Sequence, residues 1–297
     1  MTKRDAHVKA KSASKNGGNW LLVFNCANIG LANCLKLLAP SLQIQSTDFG
    51  RFRREFAEYG PRLPDFDLVL AAPNFLQEAG VDFSACERVR TLPLLYFDAY
   101  HPDLCYLTDG NQFLKGPLGD YHSKIVTAAY MKHMPESRVR SLFTDSRYSD
   151  CGYYQRWNPS RDTLLDRFRN AGCSMDRHFA SWSLRGPFMH SVNHPAIRVL
   201  HDIARAVLED EGIVPVDSGV IPHDNLLNGP VYPVFDEIAE RLSIAGSYRF
   251  KVPGEYRSIT LEEFIHGSYR LLDQMAVEKV TVHDSQRESF ENVLAVL

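Results

Sequence analysis

The segment from Arg185 to Pro195 concentrates side chains that can bind an anion and transfer a proton. It reads Arg-Gly-Pro-Phe-Met-His-Ser-Val-Asn-His-Pro, so one arginine, one asparagine and two histidines lie close together in the chain. A guanidinium pairs with phosphate or carboxylate oxygens, and a histidine can accept or donate a proton near neutral pH. We therefore expect Arg185, His190, Asn193 and His194 to contact a ligand.

The two histidines of this segment are four residues apart, a spacing that on a helix would suit a metal ion. Pro195 disfavours a helix at this point, because the residue before a proline avoids the helical conformation. No third ligand accompanies His190 and His194 at a spacing typical of zinc sites. We predict no metal site and interpret both histidines as part of the wall of a ligand site.

Cys26 lies where a predicted strand gives way to a predicted helix, within Asn25-Cys26-Ala27-Asn28. A helix N-terminus favours a thiolate, so Cys26 is a candidate nucleophile. The backbone amides of residues 26 to 28 and the Asn25 and Asn28 side chains could instead donate hydrogen bonds to an oxyanion or a phosphate. A third possibility is a small residue that only fills the corner between strand and helix. The sequence leaves these three roles open.

Asp98 and His101 have the Asp-x-x-His spacing with which SGNH-type hydrolases place an acid and a base on one loop. A carboxylate that orients an imidazole raises its basicity. In those hydrolases the pair lies near the C-terminus and the nucleophile is a serine in a Gly-Asp-Ser block, which this chain lacks. We take His101, supported by Asp98, as the first candidate for a general base. The alternative is that both residues only stabilise a turn.

His122 precedes a predicted helix that Ser123 can cap, and Gly116 and Gly119 allow the backbone to approach a ligand closely. A helix N-terminus disfavours the imidazolium, so we expect a neutral His122 and make it the second candidate for the base. An exposed His122 without a chemical role is the alternative. Lys115, in the same block, is a candidate partner for a phosphate.

Three sequence blocks, in this order, resemble the WcbI-type family of bacterial capsular polysaccharide biosynthesis enzymes. They are Tyr96-Phe97-Asp98-Ala99-Tyr100-His101-Pro102, Gly116-Pro117-Leu118-Gly119-Asp120-Tyr121-His122-Ser123 and the segment from Arg185 to Pro195. The resemblance runs from about residue 20 to about residue 250. The family's first block usually reads Asn-Cys-Gln, whereas Ala27 follows Cys26 here, so a role of the glutamine amide cannot be transferred.

The resemblance implies coenzyme A binding and an acetyl-CoA-dependent O-acetyltransferase. Its acceptor would be a sugar, sugar nucleotide or polysaccharide that belongs to a capsular or other surface polysaccharide precursor. Such chemistry needs a base for the sugar hydroxyl, donors for the oxyanion and a clamp for coenzyme A. The candidate catalytic residues are Cys26, Asp98, His101 and His122, and the candidate coenzyme A contacts are Asn25, Asn28, Lys115, Arg185, His190, Asn193 and His194.

Two other functions stay open at this point. The first is an SGNH-like esterase or deacetylase that uses the same groups with water as acceptor. The second is a non-catalytic module that binds coenzyme A or an activated sugar. Coenzyme A affinity without ester hydrolysis would separate the transferase from the esterase.

The composition is that of an ordinary globular protein. The chain has 297 residues, of which 44% are hydrophobic and 23% charged, a net charge of -3 and a pI near 6.4. A general nucleic-acid binder carries a basic excess, so we expect no nucleic-acid partner. No run of about 18 apolar residues predicts a membrane span. The polar N-terminal stretch lacks the apolar core of a secretory signal, and the six cysteines form no Cys-x-x-Cys pair, so we expect a cytoplasmic protein.

Short apolar runs alternate with helical patterns in the first half of the chain, which predicts an α/β fold with a parallel sheet, Rossmann-like or SGNH-like. The predicted strands are residues 20–25, 42–45, 67–72 and 92–97, with helices at 29–38 and around 51–59. Ligands bind beyond the carboxyl ends of parallel strands. Both Asn25-Cys26 and the segment from Asp98 to His101 follow such ends.

The second half of the chain has mainly helical patterns. Helices are predicted at residues 123–133, 161–170 after an Asn158-Pro159 cap, from His194-Pro195 to about 211, and 260–275 after a capping box at Thr260. We divide the chain into a flexible tail at 1–18, an α/β region at 19–120 and a mainly helical region at 121–297. The ligand groove is expected between the last two.

Overall fold

A four-stranded parallel sheet near the N-terminus organises the fold. The computed structural model describes residues 18–78, 81–110, 112–275 and 279–297, so the predicted tail, except residue 18, lies outside the described residues. The strands are β1 (Asn19–Phe24), β2 (Gln43–Asp48), β3 (Leu68–Ala71) and β4 (Val89–Thr91), in the order β2-β1-β3-β4. All three pairings are parallel. The predicted α/β class with an N-terminal parallel sheet is confirmed.

Strand β1 lies at the centre of this sheet. Its residues from Trp20 to Phe24 are all buried, and β1 pairs with both β2 and β3. A continuous apolar run without alternation is typical of a parallel strand that is covered on both faces. The chain crosses over β1 between β2 and β3, so the order of the strands reverses there. Ligand sites in open α/β sheets lie at such reversals, where Asn25 emerges.

Helices cover the sheet and fill most of the second half of the chain. Helix α1 (Asn28–Leu38) joins β1 to β2 and packs against α10 (Ile197–Asp210), whose buried residues recur at helical spacing. The other helices are α2 (Phe49–Arg54), α3 (Phe56–Tyr59), α4 (Pro73–Glu78), α5 (Lys124–Met131), α6 (Glu136–Val139), α7 (Asp145–Asp150), α8 (Trp157–Asn170), α9 (Asp176–Leu184), α11 (Asp236–Leu242), α12 (Leu261–Leu272) and α13 (Arg287–Val296). Short 3-10 helices occur at Gly60–Asp65, Arg140–Leu142, Tyr153–Gln155, Asn225–Asn228 and Asp284–Gln286. Among the described helices, none combines the length and the apolar character that crossing a bilayer requires.

Small antiparallel ladders fasten the loops that leave the sheet. Four pairs occur in the described residues: β5 with β7, β6 with β12, β8 with β9 and β10 with β11. These strands are β5 (Leu104–Cys105), β6 (Leu107–Thr108), β7 (His122–Ser123), β8 (Met189–Ser191), β9 (His194–Pro195), β10 (Phe250–Lys251), β11 (Ser258–Ile259) and β12 (Thr281–Val282). The β8-β9 hairpin carries His190, Asn193 and His194.

The predicted strand at residues 92–97 is wrong, because strand β4 ends before it. Pro93 has no amide hydrogen and cannot continue the ladder. The segment is extended all the same: the Leu92 amide donates to the Ala71 carbonyl at 2.9 Å, and the Phe97 amide donates to the Val192 carbonyl at 2.8 Å. It therefore links the edge of the sheet to the β8-β9 hairpin.

Several predicted helices differ at their ends. The pattern around residues 51–59 divides at Glu55 into α2 and α3. Helix α8 begins before Asn158, and α10 begins at Ile197, because His194 and Pro195 pair in β9 instead. The capping box at Thr260 is confirmed. The Glu263 amide donates a hydrogen bond to the Thr260 hydroxyl, and the Thr260 amide donates one to the Glu263 carboxylate.

A buried carboxylate, Asp103, ties distant parts of the chain together. Its Oδ1 accepts hydrogen bonds from the Ile125 amide at 3.0 Å and the Tyr153 hydroxyl at 2.8 Å. Its Oδ2 accepts one from the Tyr232 hydroxyl at 2.9 Å. Lys124 is also buried; burial lowers the pKa of its ammonium, which donates to the Pro102 carbonyl at 2.6 Å. Asp103 thus joins the start of α5 to two segments from the second half of the chain.

Replacing Asp103 should destabilise the protein severely. We expect Asp103→Ala to lower the free energy of unfolding by about 3–5 kcal/mol, because two tyrosine hydroxyls and a nearby lysine lose a buried anion. Tyr153→Phe removes one hydrogen bond to the carboxylate and should cost about 1.5–3 kcal/mol. Chemical denaturation measures both changes. Asp150→Ala, at an exposed position, is the control and should change stability by less than about 0.5 kcal/mol; a similar value for Asp103→Ala would contradict this role.

Candidate functional site

Asn25 forms a closed turn directly after β1. Its side-chain Oδ1 accepts a hydrogen bond from the Ala27 amide at 3.0 Å, and its carbonyl accepts bonds from the Asn28 amide at 3.0 Å and the Asn28 side chain at 2.8 Å. The backbone amides of Ala27 and Asn28 and one hydrogen of the Asn28 side chain are therefore engaged within the turn. The side-chain NH2 group of Asn25 can therefore donate hydrogen bonds to a ligand.

A cavity of about 410 Å³ opens beside Asn25. Its wall combines the end of β1, the extended segment after β4 and the β8-β9 hairpin. The lining residues are Asn25, Leu94, Leu95, Tyr96, Tyr106, Phe113, Arg167, Asn193, His283 and Ser285. We call it the central cavity.

Two further cavities share walls with the central cavity, and the three together form what we call the groove. One, of about 290 Å³, shares Leu94 and Arg167 and extends along Pro73 and Pro93. The other, of about 410 Å³, shares Phe113 and His283. The groove is therefore elongated, and the asparagine at the end of β1 lies near its middle.

Asn193, in the turn of the β8-β9 hairpin, is held by two hydroxyl groups. Its Oδ1 accepts hydrogen bonds from the Tyr121 hydroxyl at 2.6 Å and the Ser191 hydroxyl at 3.1 Å, and Ser191 also contacts the Tyr121 oxygen at 2.9 Å. Ser191 is fully buried and Tyr121 nearly so. With its oxygen fixed, Asn193 presents its NH2 group as the donor for a ligand in the central cavity, as Asn25 does.

His190 and Asp224 form a hydrogen-bonded pair. The distance between His190 Nε2 and Asp224 Oδ2 is 2.8 Å, the shortest histidine–carboxylate contact in the part of the chain that the structure describes. The same oxygen accepts the Ile197 amide at the start of α10, also at 2.8 Å. Burial alone would raise the pKa of Asp224, but the hydrogen bonds from His190 and from the Ile197 and Leu226 amides, together with the charge of His190, lower that pKa. Because Nε2 faces the carboxylate, Nδ1 is the nitrogen of His190 that can accept a proton.

His194 lies next to this pair. Its ring packs against Tyr121 with 5.6 Å between ring centroids, and its buried Nδ1 has no hydrogen-bond partner within the described residues. Burial, together with the nearby His190, lowers the pKa of His194 to about 4, so the ring is neutral at pH 7. No group of three His, Cys, Asp or Glu side chains in the described residues is placed to hold a metal ion.

The predicted pair of Asp98 and His101 does not form. The Asp98 carboxylate accepts hydrogen bonds from Arg156 at 2.7 Å and from the Ser160 hydroxyl, and the backbone alone links Asp98 to His101, in a turn. His101 is buried against the Tyr232 ring, and burial lowers its pKa to about 3. The two residues therefore stabilise a turn, and the imidazole of His101 is enclosed in the core.

His122 is a packing residue rather than a base at a helix N-terminus. It is buried in β7, and its Nε2 lies 3.0 Å from the Leu114 carbonyl. A Cβ atom at Gly116 would come within 2.8 Å of its ring, so that glycine makes room for the imidazole and not for a ligand. The pKa of His122 is lowered as expected, but burial is the cause.

Two predicted contacts for phosphate lie away from the groove. Lys115 is exposed and forms an ion pair with Asp120 at 2.5 Å, so a carboxylate already balances its charge. Arg185 is exposed at the end of α9 and is absent from the walls of the groove described above. Neither cation lines the central cavity, and their assignment as contacts of coenzyme A stays a prediction.

Arg167 is the cation that sequence patterns missed. It lies on α8, lines the central cavity and the cavity beside Pro73, and has no carboxylate within ion-pairing distance among the described residues. Its neighbours in sequence, Arg161 and Arg169, do form ion pairs with carboxylates. An arginine without an acidic partner in a groove wall is suited to a phosphate.

Cys26 does not have the stabilised thiolate that its position predicted. The residue is exposed, but neighbouring atoms displace water from the thiol, and this desolvation raises its pKa to about 11. The backbone amides of Cys26 and Ala27 oppose the shift, and the Asp48 carboxylate at the end of β2 adds to it. A negative charge on Cys26 would raise the pKa of the Tyr106 and Tyr121 hydroxyls. The thiol is therefore close to these two residues, and Tyr106 lines the central cavity.

Residues 77–215 match a family model described as the polysaccharide biosynthesis enzyme WcbI. The match confirms a resemblance to this family over these residues, which are less than half of the chain. The matched range contains Tyr96, Tyr121 and Asn193, while Asn25 precedes it and Asp224 follows it. No curated protein and no solved structure matches the chain.

Alkylation should report the environment of Cys26. It is the only exposed cysteine of the six, so iodoacetamide should label it first. With a pKa of about 11, the rate should rise about tenfold per pH unit from neutrality towards that value. Peptide mapping after timed labelling measures this. A rate that reaches a plateau near pH 7 would show a stabilised thiolate and restore the nucleophile hypothesis.

Proposed function

We propose that this protein is an acetyl-CoA-dependent O-acetyltransferase that acts on a sugar of a capsular or other surface polysaccharide precursor in the cytoplasm. The observation that carries the proposal is that separate sequence blocks meet at one cavity. Asn25, Tyr96 and Asn193 line it, and Tyr121 holds Asn193 in place. The match to a polysaccharide biosynthesis family supports a sugar acceptor.

Asn25 and Asn193 would stabilise the negative charge of the transition state. Attack on the acetyl carbonyl creates an oxyanion, which needs donors that are already in position. Each asparagine has its amide oxygen engaged by a turn or by hydroxyl groups, so its NH2 group is oriented before the ligand arrives. Two such groups in one cavity are suited to the thioester carbonyl oxygen.

His190 would act as the general base, in place of His101 and His122. Its Nδ1 takes the proton of the sugar hydroxyl while the sugar oxygen forms a bond to the acetyl carbon. The carbon–sulfur bond then breaks, and the proton passes to the departing thiolate of coenzyme A. Asp224 stabilises the imidazolium between these steps. The raised pKa of Cys26 favours this direct transfer over an acetyl-cysteine intermediate.

Arg167 would hold the phosphates of coenzyme A. It lies where the central cavity meets the cavity beside Pro73, so the pantetheine chain would reach from there to Asn25. The groove passes the carboxyl ends of β1 and β3, the place where doubly wound α/β sheets bind ligands. A Rossmann-like or SGNH-like architecture is part of this proposal.

The two other functions have less support. The esterase hypothesis used the same groups with water as acceptor. Its likeness to SGNH-type hydrolases rested on Asp98 and His101, and the contacts of Asp98 lead to Arg156 and Ser160 instead. A non-catalytic binding module would not need the histidine–carboxylate pair that His190 of the β8-β9 hairpin forms with Asp224. We therefore retain the transferase alone.

Removing the cation at Arg167 should weaken binding of acetyl-CoA. We expect Arg167→Ala to raise the Kd of acetyl-CoA about 10- to 100-fold, the effect of losing a hydrogen bond to a charged group. Arg185→Ala is the matched control, because this arginine is exposed outside the groove, and it should bind almost normally. Calorimetric titration measures both. A larger increase of the Kd in Arg185→Ala than in Arg167→Ala would instead place the phosphates of the coenzyme beside Arg185.

Removing the proposed base should lower turnover without lowering affinity. We expect His190→Ala to reduce kcat by about 100-fold or more while the Kd of acetyl-CoA is unchanged, and Asp224→Asn to cause part of this loss. The assay is transfer of labelled acetyl groups to the purified polysaccharide precursor. Cys26→Ser should keep most of the activity. Full activity of His190→Ala, or complete loss with Cys26→Ser, would contradict the proposed mechanism.

A further inference from the structure

The end of the groove beyond Phe113 contains none of the residues assigned above. This cavity has a volume of about 410 Å³, within the range of small-molecule sites. It is lined by Thr108, Gly110, Gln112, Phe113, Thr281, Val282, His283, Asp284 and Arg287. Phe113 and His283 also belong to the wall of the central cavity, so a ligand here would lie next to the reacting groups.

We propose that this cavity is the acceptor subsite and holds a neutral pyranose ring of the sugar that is acetylated. The inference rests on the proposed function, and it adds which end of the groove receives the acceptor. The coenzyme would enter from the Arg167 end and the sugar from the Phe113 end. Their reacting atoms would meet beside Asn25 and Asn193.

Phe113 provides an apolar platform at this end of the groove. Its side chain is 45% exposed, which is uncommon for a phenylalanine. The His283 ring lies beside it, with 5.7 Å between the ring centroids and 31° between the ring planes. A pyranose presents C–H groups on its faces and hydroxyl groups around its rim, so one face of the sugar can pack on the Phe113 ring.

The polar groups around Phe113 match the rim of a sugar. A hydroxyl both donates and accepts hydrogen bonds, so it needs a mixture of carboxylate, amide and cationic partners. Asp284 and Arg287 form an ion pair at the cavity wall, and Gln112 adds a side-chain amide. His283 Nδ1 contacts the Ser285 hydroxyl at 2.9 Å, which leaves Nε2 for a ligand.

The charge balance separates the two ends of the groove. At the Phe113 end the Asp284 carboxylate neutralises Arg287, so the wall favours an uncharged polyol over a phosphate. At the opposite end Arg167 has no acidic partner in the described residues, which favours an anion. A ligand with phosphates at one end and a neutral acceptor opposite it fits this asymmetry.

The subsite is built on fixed backbone. Strand β6 pairs with β12 in an antiparallel ladder, and the Thr108 and Thr281 hydroxyls are 3.0 Å apart. The Tyr106 amide donates to the buried Gln286 side chain at 2.8 Å. The same short stretch thus carries Tyr106 in the wall of the central cavity and Thr108 in the wall of the subsite.

Saturation-transfer NMR tests the subsite with simple sugars. The probe is a mixture of the methyl glycosides of mannose, glucose and galactose, added to the full-length protein. We expect transfer of saturation to at least one of them. Phe113→Ala should weaken that binding on the order of tenfold, because the apolar platform is lost, and Asp284→Asn should weaken it as well. Tyr256→Ala, at an exposed aromatic residue that lines a different cavity, is the control and should bind like wild type.

Thermal stabilisation by acetyl-CoA is measured on the same variants. Loss of sugar binding in Asp284→Asn, whose side chain lines the subsite and not the central cavity, with normal stabilisation by acetyl-CoA supports the subsite. Absence of transfer to all three sugars in wild type, or weaker acetyl-CoA binding in Asp284→Asn, overturns it. Sugar binding by a protein that does not bind acetyl-CoA supports the sugar site and contradicts the acetyltransferase, so the two failures are distinguishable.

Discussion

The buried carboxylate of Asp103 is the constraint on which the rest of the structure depends. It has no exposed surface, and its stability requires the hydroxyl groups of Tyr153 and Tyr232 and the Ile125 amide. Tyr232 in turn donates its amide to the His190 carbonyl at 2.9 Å. The Asp103 side chain is therefore linked through Tyr232 to the hairpin that presents the candidate base and the candidate oxyanion donor. Loss of these hydrogen bonds would leave buried polar groups without partners, which is costly.

The sheet supplies the other half of the site through a different interaction. Its order reverses beside β1, and Asn25 follows that strand. The extended segment after β4 forms backbone hydrogen bonds to both the sheet and the hairpin. The Leu92 amide donates to Ala71 of the sheet, and the Phe97 amide donates to Val192 of the hairpin. The central cavity is the space between these two supports. Its two ends differ in charge, and this difference gives the groove a direction for a ligand that carries phosphates at one end.

Local patterns in the sequence predicted the elements but not the partners of the polar groups. Strand β1, helix α1 and the capping box at Thr260 are encoded in short contiguous stretches, and these predictions are confirmed. The Asp98 carboxylate instead accepts hydrogen bonds from Arg156 and Ser160, about sixty positions later in the sequence. His190 forms its hydrogen bond with Asp224, which lies in a stretch without a periodic pattern. The sequence spacing predicted a pair of Asp98 and His101 within one loop. The observed histidine–carboxylate pair joins two residues that are distant in the sequence, His190 and Asp224. The pKa of Cys26 could not be read from its place before a helix, because desolvation outweighs the backbone amides.

A crystal structure of the complex with acetyl-CoA tests the central claim most directly. We expect the thioester carbonyl oxygen to lie about 2.7–3.1 Å from the NH2 groups of both Asn25 and Asn193, the distance at which such donors stabilise an oxyanion. We also expect a phosphate on Arg167 and the reacting sugar hydroxyl within hydrogen-bond distance of His190 Nδ1. An acetyl group bound at Arg185, or a thioester at the Phe113 end of the groove with the phosphates on Arg287, would contradict it.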